Sequence, residues 1–104
     1  MNRIPIALVA ICVSSAAIAQ KPAFVPPKGF VPDATTAIAI ARAVLIPIYG
    51  AATIRSEEPL KAERKGNSWH VNGTLRCAPH CLGGTAFVEI SAKDGAVLQV
   101  FHTK

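Results

Sequence analysis

The sequence predicts an α+β domain in which one N-terminal helix packs on a curved, four-stranded antiparallel meander. Three observations carry this. Asp33–Gly50 holds the one strong helical period, with Ala34, Ala37, Ile38, Ala41, Val44, Leu45 and Ile48 on a single stripe at about 100° per residue. From Pro59 the period changes to two, and Gly66-Asn67 and Lys93-Asp94-Gly95 read as turns. The strand segments follow one another without an intervening helix, which is hairpin order.

Taken in order, residues 1–19 read as a secretory signal peptide. Arg3 supplies the positive start, Ile4–Ile18 the apolar run and Ala17-Ile18-Ala19 the small-x-small cleavage site. The run falls short of the ~20 residues a membrane span needs, and Ser14 and Ser15 interrupt it. A chain starting at Gln20 is therefore expected in the periplasm or outside the cell, without stable membrane insertion. Gln20–Pro32 carries four prolines among Phe24, Val25, Phe30 and Val31. Proline excludes helix there, so residues 20–32 are expected to form an extended arm covering Ile40 or Ile46, which lie off the helix stripe.

Residues 33–104 form the expected domain. Asp33 is placed to cap the helix, Pro47 to stop or kink it near Ile46, and Gly50 to provide its exit. Ala51–Glu58 reads as a short connection with room for a helical turn. Strands are expected over Leu60–Lys65, Trp69–Leu75, Thr85–Ser91 and Ala96–Thr103, with Arg76–Gly84 a loop. The helix then buries Trp69, Val71, Leu75, Val88, Ile90 and Leu98.

The net charge of +5, one unit lower once Arg3 is removed, favours an acidic partner. Nucleic acid is excluded as that partner, because the basic residues are scattered and no aromatic pair alternates with them.

The segments GFVPDATTAIAIARAVLIPIYG, WHVNGTL, GGTAFVEI and KDGAVLQVFHTK, in this order, resemble the NTF2-fold immunity proteins of bacterial polymorphic toxin systems. The resemblance runs from Lys28 to Lys104. It implies a small NTF2- or cystatin-like α+β fold that neutralises a cognate toxin domain by binding it, with no catalytic residues and no cofactor. The cysteines of the Arg76–Gly84 loop depart from that pattern.

Within that loop, Cys77 and Cys81 are expected to form a disulfide, since they stand four apart in an exported chain. A redox pair would have a two-residue spacing in a βαβ setting. A zinc site on Cys77, His80 and Cys81 would need a fourth ligand such as His70 or His102. No metal is therefore expected. His70 and His102 fall on strands whose register decides whether they share a face; Glu63 and Glu89 are the strand carboxylates that could serve them as partners. Gly73 within a strand suggests a bulge or bend. No Ser-His-Asp set, phosphate loop or carboxylate pair appears, so no catalytic residue is assigned.

The expected binding surface combines Phe87 and Phe101 with His70, Asn72 and Gln99, if the strand register brings them to the face away from the helix. The leading reading is an exported immunity-type binding protein. The alternative is a periplasmic accessory domain that binds a peptide or envelope protein without a toxin partner.

Overall fold

A computed structural model describes residues 24–104. The proposed signal peptide (residues 1–19) and the start of the arm (20–23) lie outside the described residues.

Helix α1 (Ala34–Tyr49) begins where Asp33 caps it. The Asp33 carboxylate accepts from the Thr36 hydroxyl at 2.7 Å and from the Thr36 N–H at 2.8 Å. Those two bonds, the hydroxyl's first, hold its pKa below the ordinary aspartate value. Ala37, Ala41 and Leu45 are fully buried. Ile48, expected on the same stripe, is 54% exposed, and Tyr49, four residues after Leu45, packs against the core in its place. Nor does α1 stop at Ile46: it runs through Pro47 to Tyr49. So close to the C-terminus proline forfeits little beyond the bond to the Ala43 carbonyl, and the Gly50 N–H still closes on Ile46 O at 2.8 Å. Gly50 then takes φ 96°, a left-handed conformation that a side chain resists, and this redirects the chain into a second helix, α2 (Ala51–Ser56).

The strands are β1 (Lys61–Lys65), β2 (Ser68–Asn72), β3 (Ala86–Ser91) and β4 (Val97–His102), an antiparallel meander in chain order. Helix α1 lies over β1, β2 and β3. Trp69, Val71, Val88 and Ile90 are buried beneath it. Leu75 and Leu98 are not. Strand β2 ends at Asn72, because the Thr74 N–H turns to Glu57 O (2.7 Å) and its hydroxyl to Pro59 O (2.6 Å), leaving Leu75 half-buried beyond the strand. Leu98 is the extra residue of a bulge: Glu89 pairs with Gln99 and Ile90 with Val97, so Leu98 has no partner and is 56% exposed.

Among the described residues, the arm (24–32) is anchored on Ala92, Lys93 and Trp69 and not over Ile40 or Ile46, which pack against the core. Phe24, Val25 and Phe30 are exposed, whereas Gly29 and Val31 are buried. The Val31 N–H and that of Phe30 bond to Ala92 O and Lys93 O at 3.0 Å, while the Val31 carbonyl accepts the Trp69 indole N–H at 2.8 Å. Val31 stands two residues before the cap, so it reaches the start of α1 only. At about 1.5 Å per residue, Ile46 lies some 18 Å further along.

Candidate functional site

Register settles which side chains share the outer face, away from α1. Pairing of His70 with Glu89, Asn72 with Phe87, Phe87 with Phe101 and Glu89 with Gln99 puts all six residues on it. The rings of His70, Phe87 and Phe101 form a row across three strands. Phe87 stacks on Phe101 with centroids 4.5 Å apart, and His70 meets Phe87 edge-on at 5.2 Å. Phe87, flanked on both sides, is only 8% exposed, whereas Phe101 is 39% exposed. Phe101 is therefore the ring a partner can reach, and Phe87 its support. Glu89 Oε2 accepts the Ser68 hydroxyl at 2.8 Å and lies 3.5 Å from His70 Nε2.

His102 is on the opposite face, paired with Ala86 and edge-on to Tyr49 at 5.3 Å. Its carboxylate partner is neither Glu63 nor Glu89 but Glu57, which follows α2 and is almost fully buried. Glu57 Oε2 is 3.1 Å from His102 Nε2, and Oε1 accepts the Ala86 N–H at 2.7 Å. His102 Nδ1 in turn is 2.7 Å from Thr103 O. With both ring nitrogens and both carboxylate oxygens engaged, this pair is a clasp joining α2 to β3 and β4. Gly73 owes its place to the clasp, because a Cβ there would strike the Glu57 side chain. Close approach, and not a bulge, explains that glycine.

Cys77 and Cys81 are bonded to each other, with Cα atoms 5.5 Å apart, in a largely exposed loop where His80 is also exposed. Among the described residues no cluster of His, Cys, Asp and Glu is arranged to hold a metal. Sequence reasoning placed Glu57 in a connection and missed its role; the one trace it left was a glycine inside a strand pattern.

The model of the NTF2 fold immunity protein family matches residues 36–104, from the first turn of α1 through all four strands. The chain belongs to this family. Neither a curated protein nor a solved structure matches it. Membership in an immunity family points to toxin-neutralising binding as the class of function, with a protein toxin as the class of partner. Among the described residues of this immunity-family chain, no helix is long and apolar enough to cross a membrane.

Proposed function

We propose that this chain is an exported immunity protein that neutralises a bacterial toxin domain by direct, stoichiometric binding in the periplasm or outside the cell. The observation that carries the proposal is the family match over residues 36–104. Export is motivated by residues 1–19, since a signal peptide serves an immunity protein when its toxin is met beyond the cytoplasm. The binding surface is the outer face around Phe101, with Asn72, His70 and Gln99 as polar neighbours and Phe87 beneath. It adjoins β4, an edge strand that exposes Val97 and Leu98 as well.

The test is co-expression with an exported toxin domain encoded beside this gene. Survival that depends on this protein, together with a 1:1 complex recovered from the periplasm, supports the proposal. If cells die equally with and without it and no complex forms, the immunity role is lost and the toxin-free accessory domain replaces it. Intact mass of the exported protein checks the processing step, with Gln20 expected at the start; Met1–Ala19 retained on the soluble form contradicts it.

A further inference from the structure

At the end of the sheet remote from the disulfide loop, the β1–β2 turn, the β3–β4 turn and the residues leading into α1 enclose a groove of about 510 Å³. Lys28, Arg64 and Lys93 line it, and no carboxylate does. The two acids adjacent to these residues in the chain are engaged elsewhere: Asp94 accepts the Ala96 N–H at 2.9 Å, and Glu63 lies 4.0 Å from the Lys65 ammonium. Arg64 is held in place twice: its Nε donates to Gly66 O at 2.8 Å, and its Cζ lies 5.6 Å from the centroid of the Trp69 ring. Its terminal nitrogens remain as donors in a fixed orientation, the arrangement that suits a planar carboxylate. Neither lysine forms a salt bridge among the described residues, though Lys93 stands near enough to the Asp94 carboxylate for its charge to be felt there. Val25, Pro26 and Pro27 add an apolar wall. No aromatic side chain lines the groove, so it has no platform on which a nucleic-acid base would stack.

We infer that this groove binds an extended acidic segment of a partner protein, with a carboxylate on Arg64 between Lys28 and Lys93. The inference stands apart from the toxin reading, because it concerns the chemistry of the segment and not the activity of the protein that carries it.

Trp69, the chain's one tryptophan, lies under Arg64 and reports on the groove by its fluorescence. Full-length protein is titrated with hexaglutamate and, separately, with hexalysine, inorganic phosphate and oligo-dT. A saturable change in Trp69 emission with hexaglutamate alone, weakening as salt rises, is the expected result. Lys28→Gln and Lys93→Gln, both at exposed positions, should each raise the dissociation constant about threefold, and the double change about tenfold. Arg64→Gln should abolish the response, with circular dichroism confirming the fold. Absence of a saturable change, an equal response to hexalysine, or wild-type affinity in the Lys28→Gln/Lys93→Gln protein overturns the inference. So does binding of phosphate or oligo-dT as tight as that of hexaglutamate.

Discussion

Glu57 and His102 stand 45 residues apart in sequence and meet at 3.1 Å, the carboxylate buried between α2 and the sheet. Through this one side chain, α2 is tied to the first residue of β3 and the last of β4.

Removing the clasp should be costly. Glu57→Ala strands the Ala86 N–H and is expected to lower stability by about 2–3 kcal/mol in urea denaturation. Gly73→Ala should cost about 1–3 kcal/mol by forcing a methyl group into the same carboxylate. In a double-mutant cycle the two losses should add to less than their sum, since they act on one contact. Strict additivity would show that Gly73 is constrained by something other than Glu57.

Acid should weaken the link between α1 and the segment ahead of β1. Arg42 Nε donates to Glu58 Oε1 at 2.8 Å, and the Leu60 N–H donates to Oε2 at 3.1 Å. The Arg42 bond, ahead of the Leu60 bond, holds the Glu58 pKa below the ordinary glutamate value. A depressed folded-state pKa contributes stability above the unfolded value and loses it as pH falls through the folded one. Both side chains are partly exposed, so the contribution is limited to about 0.5–1 kcal/mol. Arg42→Gln should therefore be less stable than wild type by that amount at pH 7, and the gap should close below the ordinary glutamate range of about 4.3. A gap that persists at pH 2 would assign the effect to lost packing.

The disulfide should staple its own loop and little else. Cys77 and Cys81 close a short loop with no member in the core. Cys77→Ser is expected to cost about 2 kcal/mol or less and to leave the fold intact. Alkylation without reductant should label neither cysteine; a reduced protein that unfolds at room temperature would contradict the peripheral role.

Phe87 and Phe101 should separate stability from binding. Phe101→Ala removes an exposed ring and should weaken toxin binding by about 1–3 kcal/mol with little change in the thermal midpoint. Phe87→Ala removes a buried one and should destabilise the domain by about 3 kcal/mol. Calorimetric titration against the toxin and thermal melts of the same proteins check both. Wild-type toxin affinity in Phe101→Ala moves the interface elsewhere.

By itself the sequence determined what depends on near neighbours. Asp33 as cap, the buried Ala37, Ala41 and Leu45, the turns at Gly66-Asn67 and Lys93-Asp94-Gly95, and the alternation that buries Trp69, Val71, Val88 and Ile90 each follow from residues a few positions apart. The pairing of Cys77 with Cys81 was legible for the same reason. Tertiary structure alone decided the rest. A single bulge at Glu89/Ile90 turned Leu98 out, a change that no period in β4 announces. Pairing across β2, β3 and β4 sent His70 and His102 to opposite faces, because side chains alternate and one step of register exchanges the faces. Glu57 met His102, and the Arg64–Trp69 pair of the β1–β2 hairpin came to stand beside Lys28 and Lys93, because the meander closed distances of tens of residues. Such contacts depend on the sum of all pairings and the packing of α1, which no local stretch of sequence encodes.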